Sequence, residues 1–446
     1  MIVQNVKGTY DFFGKEQSLR KKVQSTLQEV FELYDFDGMD STILSELDLL
    51  ASKYAGGDEI LKEMYQITDQ GMRNLGLRYD LTIPFAKVIA LNPGIELPYK
   101  RYEIGKVFRD GPVKRGRLRE FLQCDVDVVG IAGPEAEVEL MQLAVEIFKR
   151  LEIPITLKWN NRRFLSEVLE SIDVPSDEKL SVMLTLDKIK KVGNDGVIKE
   201  LVSKGLDAQV TNSIKELLEL NNSSFEIVSR KYGIQDKPGA LEVQSLQNII
   251  HDLGLEQICK FDPFLSRGLS FYTGTVYEIF DASGSFSSSL GGGGRYDAII
   301  GQLIGRDDIQ YPTVGISFGM ESIMAMLESR PAQISSALVV VIPIGETVTE
   351  VLKTAAKLRA SGFRTKTDTS GRKLRKSLAT ASSNGIRYVI LIGENEEKLG
   401  KLRLKDMDEQ KELVLSIQEV IDLISTTITS VGYNSMAHNC KPITIL

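Results

Sequence analysis

The stretch LSRGLSFYTGTVYEIF, residues 265–280, decides the fold because it combines a strand pattern with polar residues that a packed core does not require. From Phe271 onward it alternates and is rich in Thr, Val, Tyr and Phe, which predicts a β-strand. Arg267 and Tyr272 stand at its start, and a run of four glycines begins eleven residues beyond its end. These glycines let a backbone approach a ligand closely, or serve a loose hairpin.

A second strand, predicted in REFLQCDVDVVG (119–130), separates polar from apolar residues. One face carries Phe121, Gln123, Asp125 and Asp127, and the other carries Leu122, Cys124, Val126 and Val128. This pattern is typical of a sheet with one face on a core and the other on a polar ligand. The Gln123 carbonyl and the Asp127 carboxylate suit an ammonium or imidazole donor.

Length and composition indicate a globular chain of roughly three domains. It has 446 residues and a net charge of −7, which argues weakly against a general nucleic-acid coat. No apolar run approaches the ~18–20 residues that span a bilayer, and the N-terminus lacks a secretory pattern, so a cytoplasmic protein is expected. Three cysteines without a CxxC pair predict neither a metal site nor a disulfide framework. With two histidines in the chain, chemistry must run without the usual proton shuttle.

Two basic stripes stand out against this acidic background. Residues 100–120 hold eight Lys/Arg and three Asp/Glu, and residues 357–376 hold eight bases and one acid. Either stripe taken singly is compatible with a solvated face. Within the first, Arg109 and Arg117 flank the loop GPVKRG and could converge on one anion, or be ordinary strand surface charge. Asp80 and Thr82, in RYDLT, form a candidate site that is also compatible with a turn or helix cap.

The patterning predicts a first domain over 1–328 with a helical insertion at about 160–258. The expected elements are a helix at 16–35, short strands through 64–130 including LGLRYDLTIPFAKVIAL, a helix at 134–151, strands at 269–281 and 311–318, and a helix at 320–329.

The C-terminal part is predicted to be a separate small domain. A linker at 329–336 precedes 337–425, whose alternating strands and helices favour β-α-β-α-β with a largely parallel sheet. The tail, 426–446, breaks this pattern and is expected to be irregular.

Several ordered blocks resemble one family, the histidyl-tRNA synthetases, which are class II aminoacyl-tRNA synthetases. KRYEIGKVFRDGPVKRGRLREFLQCDVDVVG looks like motif 2 of that class. VKGTYDFF, LRYDLTIPFAK, SRGLSFYTGTVYE and GGGGRYD resemble further blocks in the same order, and GRKLRKSLATASSNGIRYVILIGENE is similar to the anticodon-binding domain. The resemblance covers residues 1–425. It implies an α+β fold, in which a class II antiparallel-sheet catalytic core with a helical insertion precedes a small α/β anticodon-binding domain.

Matching positions imply roles for individual residues. Asp80, Thr82 and Gln123 match positions that hold the α-amino group of histidine, and Asp127 and Tyr272 match those that grip its imidazole. Phe271 and Tyr296 match positions that line the same pocket. Arg267 matches the arginine that contacts the carboxylate and the α-phosphate, and Arg109 matches the arginine on the α-phosphate. Arg117 and Glu321 match positions that bind ATP.

The implied reaction uses ATP with Mg²⁺ and needs no bound protein metal. The carboxylate of histidine attacks the α-phosphorus of ATP, and the ribose of tRNA(His) then attacks the adenylate. The family also implies a homodimer, and a basic stripe at 357–376 that positions the RNA.

The chain departs from the family pattern at three places. The block Arg-Gly-Leu-Asp-Tyr-Tyr reads Ser270 and Phe271 at its fourth and fifth positions, the motif 3 arginine is replaced by Ser322, and Ser41-Thr42 stands where motif 1 carries a proline. The alternative is therefore a paralogue that lost charging and acts as a regulatory subunit in histidine biosynthesis or as a tRNA-binding regulator. Such subunits generally lack the C-terminal domain predicted here.

Overall fold

The structure is a computed structural model that describes residues 3–51, 61–113, 116–268, 271–327 and 338–430. These residues divide into two compact units, one of residues 3–11 and 20–327 and one of residues 12–19 and 338–430. The linker predicted at 329–336 lies outside the described residues. No described helix is long and apolar enough to cross a membrane.

The strands of the first unit are β1 (Asp37–Gly38), β2 (Leu44–Glu46), β3 (Gln66–Thr68), β4 (Asn74–Leu77), β5 (Tyr99–Phe108), β6 (Glu120–Val129), β7 (Ile155–Asn161), β8 (Cys259–Phe261), β9 (Thr275–Asp281), β10 (Gly291–Arg295) and β11 (Thr313–Gly319). Among these described strands, eight form one sheet in the order β1-β5-β6-β11-β10-β9-β7-β8. Pairing is antiparallel from β5 through β7, while β1 and β8 are parallel edge strands. Strands β2, β4 and β3 form a small separate sheet.

The helices of the N-terminal part are α1 (Gly14–Leu33), α2 (Leu47–Ala51), α3 (Thr82–Leu91) and α4 (Glu135–Arg150). Helices α1 and α4 confirm the predictions at 16–35 and 134–151. The apolar face of β6 is buried, and its Cys124 is paired with Phe318 of β11. The Phe318 ring lies 5.8 Å from Phe31 of α1 and 6.1 Å from Phe148 of α4. Because each fully buried side chain of this kind contributes roughly 1.5–3 kcal/mol, this helix-covered face forms the core and leaves the polar face for the site.

The strand predicted in LGLRYDLTIPFAKVIAL is only partly correct. Strand β4 ends at Leu77, and α3 occupies the second half of the segment. This helix is buried at residues from Ile83 to Ile89 on several sides, so its sequence shows no helical alternation. An apolar run of this kind cannot be assigned from periodicity.

Residues 155–261 alternate between the main sheet and a helical segment. After β7 come α5 (Arg162–Ser171), α6 (Lys179–Leu186), α7 (Ile189–Ser203), α8 (Ala208–Leu218), α9 (Phe225–Lys231) and α10 (Pro238–Asp252), and β8 returns to the sheet. The helical character expected over 160–258 is confirmed, but β7 was not predicted. The first unit then ends with α11 (Ile299–Leu303) and α12 (Met320–Leu327).

The second unit contains β12 (Val339–Pro343), α13 (Val348–Ala360), β13 (Thr365–Thr367), α14 (Leu374–Ser383), β14 (Tyr388–Ile392), α15 (Glu394–Leu399), β15 (Leu402–Asp406), β16 (Lys411–Leu415) and α16 (Ile417–Ser430). The predicted β-α-β-α-β order is confirmed over 339–392, where β13, β12 and β14 are parallel. Strands β15 and β16 add an antiparallel pair that was not predicted. The prediction of an irregular tail is wrong for residues 426–430, because α16 continues through Ser430. Residues 431–446 lie outside the described residues.

Candidate active site

The centre of the site is the Asp127 carboxylate on the polar face of β6. Asp127 is 4% exposed, and Arg101 of β5, its directly paired neighbour, places Nη2 2.6 Å from Asp127 Oδ2. The Tyr296 hydroxyl donates a hydrogen bond to Asp127 Oδ1. Burial, reinforced by Asp127, raises the pKa of that hydroxyl well above its ordinary value. Contacts from two sides thus hold the Asp127 carboxylate in one orientation.

Glycines in β11 and β10 make room for these polar groups. A Cβ at Gly315, opposite Asp127, would lie 1.8 Å from Asp127 Oδ1. A Cβ at Gly292 would lie 2.2 Å from Arg267 Nη1, and one at Gly294 would lie 3.0 Å from Tyr272 Cδ1. The glycine run is therefore a central strand rather than a loose hairpin, and the absent side chains let Arg267 and Tyr272 approach the sheet closely.

Arg267 sits in a left-handed backbone conformation, with φ 59°. Its backbone N–H and that of Ser266 donate to Asp187 Oδ1 at 3.2 Å and 3.0 Å. Its guanidinium lies 3.5 Å from Glu278 Oε1 on β9. A non-glycine residue in this conformation is uncommon, and the Asp187 contacts hold the backbone that directs the arginine over Gly292.

The strand predicted from Phe271 begins later, at Thr275, and residues 271–274 before it are irregular. The Phe271 ring packs 4.4 Å from that of Tyr272 and 6.0 Å from that of Tyr296. The structure thus brings these three aromatic residues together, next to Asp127.

Arg295, in the same GGGGRYD block as Tyr296, is a buried anchor. Its Nε and Nη2 each lie 2.7 Å from a carboxylate oxygen of Glu137 on α4, and Glu137 is 2% exposed. This pair fixes the end of β10 against α4.

Gln123 and Asp125 lie on the same face of β6 as Asp127, four and two residues away from it. Gln123 Nε2 donates to Asp125 Oδ2 at 2.9 Å. Burial, followed by the nearby charge of Asp127, raises the pKa of Asp125 to about 7. Gln123 was predicted as a site residue and Asp125 was not.

Asp80 forms the helix cap that its sequence also allowed. Its Oδ1 accepts hydrogen bonds from the backbone N–H groups of Thr82 at 3.0 Å and Ile83 at 3.1 Å, at the start of α3. Asp80 is 7% exposed. Thr82 is the first residue of α3 and is partly buried.

Arg109 and Arg117 are linked through a tyrosine and a glutamate. The Arg109 guanidinium lies over the Tyr79 ring at 4.3 Å, and its Nε donates to the Tyr79 carbonyl at 3.1 Å. The Tyr79 hydroxyl donates to Glu63 Oε2 at 3.0 Å, and Arg117 Nη2 lies 2.7 Å from Glu63 Oε1. Residues 114–115 of the intervening loop lie outside the described residues. Convergence of both arginines on one anion stays a prediction.

Glu321 is engaged by an arginine that sequence reasoning missed. Arg20 of α1 forms two hydrogen bonds to its carboxylate, at 2.6 Å and 2.7 Å, and both side chains are about nine-tenths buried. Ser322 is 9% exposed, and its Oγ lies 3.7 Å from the position of a Cβ at Gly116. The replacement of the motif 3 arginine thus leaves a small hydroxyl beside the base of the loop that follows Arg109. The ATP role predicted for Glu321 stays a prediction.

Arg101 and Asp125 could have been found from the strand pattern. Arg101 and Glu103 alternate in β5 as Asp125 and Asp127 do in β6, and antiparallel register pairs Arg101 with Asp127. Asp187 gave no such pattern, since it is 80 residues from Arg267 in sequence. His251 is exposed on α10 and takes no part in the site, while His438 lies outside the described residues.

The described residues contain no cluster of three or more His, Cys, Asp or Glu side chains able to hold a metal ion. Mg²⁺ in nucleotide sites keeps several waters and binds one or two carboxylates together with substrate phosphates. An ion of that kind, carried by a nucleotide, would not need a preformed cluster of protein ligands.

An antiparallel sheet with a buried polar face, joined in sequence to a small α/β domain, defines a ligand-binding enzyme core of the class II synthetase type. The sequence model described as histidyl-tRNA synthetase matches residues 10–323, and that of an anticodon-binding domain matches residues 338–427. Histidine–tRNA ligase 1 of Bacillus cereus is 45% identical over 95% of this chain and 97% of its own length. Histidine–tRNA ligase 2 of Shouchella clausii is 45% identical over 91% of this chain and 96% of its own.

A solved structure, the histidyl-tRNA synthetase from Nostoc sp. PCC 7120, superposes with a TM-score of 0.82 at 26% identity. The match covers 96% of this chain and all of that one. The chain therefore belongs to the histidyl-tRNA synthetase family.

Proposed function

We propose that this protein uses ATP to attach histidine to tRNA(His) through a histidyl-adenylate. The observation that carries the proposal is the buried Asp127 carboxylate, oriented by Arg101 and Tyr296 beside the aromatic side chain of Tyr272. A buried carboxylate held in one orientation suits the N–H donor of an imidazole. The C-terminal unit, with its match to an anticodon-binding domain, favours charging over the regulatory alternative.

The first step needs positioning and charge neutralisation rather than proton transfer. The histidine carboxylate is already ionised, so its oxygen forms a bond to the α-phosphorus while the bond to pyrophosphate breaks. Arg267, which faces the sheet over Gly292, is assigned to the carboxylate and the α-phosphate, and Arg109 is assigned to the α-phosphate. Fixed guanidinium donors aimed at developing negative charge supply the main stabilisation.

Binding of ATP is assigned to Arg117 and Glu321, near the loop after β5. Mg²⁺ bound to the β- and γ-phosphates would neutralise their charge, held by phosphate oxygens and water. Arg20, by fixing the Glu321 carboxylate, acts as a positioning residue here. Asp80 and Thr82, with Gln123, are assigned to the α-amino end of histidine.

In the second step a terminal ribose hydroxyl of tRNA attacks the carbonyl carbon of the adenylate, and AMP leaves. The basic stripe 357–376 includes Arg372, Lys373, Arg375 and Lys376, which are exposed at the start of α14. These side chains suit phosphate contacts that position the RNA. The assembly proposed is a cytoplasmic homodimer, and sedimentation should give twice the 49.6 kDa of one chain.

The test is ATP–pyrophosphate exchange with each of the twenty amino acids. Histidine-dependent exchange that is lost in Arg267→Ala is expected. A folded protein that gives no exchange with any amino acid would overturn the proposal. Exchange without subsequent charging of tRNA(His) would confine the function to adenylate formation.

A further inference from the structure

We propose that Asp125 is a further substrate-binding residue, whose carboxylate receives the α-ammonium group of histidine together with Gln123. This inference deepens the proposed function and rests on it. Neither the family resemblance nor the comparisons assign a role to Asp125.

The sheet register places Asp125 in line with Arg267. Asp125 is paired with Ser317 of β11, and Ser317 is paired with Gly292 of β10, over which the Arg267 guanidinium lies. Directly paired residues point to the same face, and neighbouring strands are about 4.8 Å apart. The carboxylate of Asp125 and the guanidinium of Arg267 therefore face the same pocket about two strand intervals apart, with the partly open Ser317 between them. An amino acid whose carboxylate meets Arg267 would point its ammonium group toward Asp125.

Two acceptor atoms here have no donor. Asp125 Oδ1 and Gln123 Oε1 are buried and receive no hydrogen bond from a described residue. The Asp125 carboxylate is contacted by Gln123 Nε2 at Oδ2 and by the Ser317 hydroxyl, whose hydrogen bond lowers its pKa less than burial raises it. Leaving a buried acceptor without a donor costs about 1–3 kcal/mol, and more for a charged group. A ligand with several donors on one atom satisfies both acceptors, and an ammonium group has three.

The buried charges around Asp125 also favour a cationic ligand. Six charged residues on this side of the pocket are at least nine-tenths buried: Arg78, Asp80, Arg101, Glu103, Asp125 and Asp127. Arg78 is 2.6 Å from Glu103, and Arg101 is paired with Asp127. Carboxylates exceed guanidiniums by two in this group, and Asp125 makes no ion pair with either arginine. Because unpaired buried charge is strongly unfavourable, Asp125 is the carboxylate that a cationic ligand would stabilise.

Asp80 is less free to take this role alone. Its Oδ1 already caps α3, whereas Asp125 Oδ1 accepts no hydrogen bond from a described residue. The raised pKa of Asp125, about 7, is consistent with a carboxylate whose cation is supplied by the substrate.

The test compares two ligands that differ only in the ammonium group, histidine and imidazolepropionate. Their dissociation constants are measured by calorimetry without ATP, on the wild type and on Asp125→Asn, which keeps the shape and removes the charge. We expect Asp125→Asn to weaken histidine roughly 10- to 100-fold while changing imidazolepropionate less than about threefold. Equal weakening of both ligands, or of neither, would overturn the inference and leave Asp125 a structural residue.

A second measurement needs no variant and remains decisive if Asp125→Asn does not fold. Burial raises the pKa of Asp125 to about 7, so part of this carboxyl is protonated near neutral pH, and an ammonium group would displace that proton. Calorimetry in phosphate and in Tris should show histidine releasing more protons per site than imidazolepropionate. Equal release would count against the inference.

The two failures are distinguishable. Histidine-dependent pyrophosphate exchange without any ammonium-specific effect of Asp125 would remove this inference and leave the proposed function. A wild-type protein that binds neither ligand and shows no exchange would overturn both.

Discussion

At the scale of single residues, the pocket depends on side chains that are missing as much as on those present. Gly315 and Gly319 lie on the same strand, β11, four residues apart. A Cβ at Gly315 would overlap Asp127 Oδ1 at 1.8 Å, whereas a Cβ at Gly319 would meet its nearest atom, the Leu290 carbonyl oxygen, at 3.5 Å. The two positions therefore form a matched pair that separates steric displacement of Asp127 from a general change in the strand.

We predict that Gly315→Ala lowers kcat/KM for histidine in pyrophosphate exchange by roughly 100-fold, because a displacement of about 1 Å at a substrate contact can cost that much. Gly319→Ala, at ordinary van der Waals distance, should remain within about threefold of the wild type. Steady-state exchange kinetics on both variants give the comparison. Similar losses in the two variants would show that Asp127 is not the sensitive group.

At the scale of elements, a helix or strand could be predicted where the residues that determine it lie within its own segment of sequence. Helix α4 was predicted closely because Pro134 and an amphipathic pattern lie within the segment itself. Strand β10 was not, since a run of four glycines has no intrinsic strand preference. Its register against Gly315 and Tyr277 is set by strands distant in sequence. Arg101 and Asp125 could have been inferred once β5 and β6 were paired, but the contact of Asp187 with Arg267 depends on tertiary packing of the helical segment.

That contact gives an element-scale prediction. Asp187, which directly follows α6, holds the backbone of Ser266 and Arg267. Asp187→Ala should reduce kcat of pyrophosphate exchange roughly 10- to 100-fold because the left-handed conformation of Arg267 loses its support. The matched control is Asp207→Ala, which removes a side-chain cap from α8 in the same helical segment. It should lower the melting temperature with little effect on kcat, and an equal loss of activity in both variants would contradict the assignment.

The connection between β9 and β10 is expected to be sensitive to pH. Although burial raises the pKa of Asp281, hydrogen bonds from Ser283, Ser285 and Phe286 outweigh it and lower the pKa to about 2, from an ordinary value of 3.8. The stabilisation from this carboxylate is therefore fully present above pH 3.8 and is lost as the pH falls through about 2.

Asp281→Asn should consequently lower the free energy of unfolding by about 1–2 kcal/mol at pH 7. The difference from the wild type should shrink as the pH is lowered from 4 toward 2. Urea unfolding at a series of pH values provides the measurement. A difference that stays constant over this range would mean that the ionised carboxylate is not the stabilising form.

At the scale of the whole molecule, two described units carry separable tasks under the proposed function. Adenylate formation depends on the first unit, and the exposed bases of α14 belong to the second. The double variant Arg375→Glu/Lys376→Glu reverses two of these charges. It should raise KM for tRNA at least tenfold and weaken the salt dependence of tRNA binding, because phosphate contacts are lost. Pyrophosphate exchange should be unchanged.

Lys398→Glu is the matched control, since Lys398 is exposed on α15 outside the basic stripe 357–376. It should leave both activities close to those of the wild type. Aminoacylation at several salt concentrations, alongside exchange, measures the effect. A loss of tRNA charging in the control as large as in the double variant would indicate that net charge, rather than the stripe, matters.

The fit among Asp127, Arg101, Tyr296 and Gly315 also has an evolutionary consequence. Lengthening Asp127 to glutamate would crowd Gly315, and removing it would leave the fully buried Arg101 without its nearest carboxylate. Under the proposed function, single substitutions in this group would pass through a damaged intermediate, and a new amino-acid preference would require coordinated change at several positions. Descendants of this gene should sooner alter their loops and RNA-binding surface than the identity of the amino acid they select.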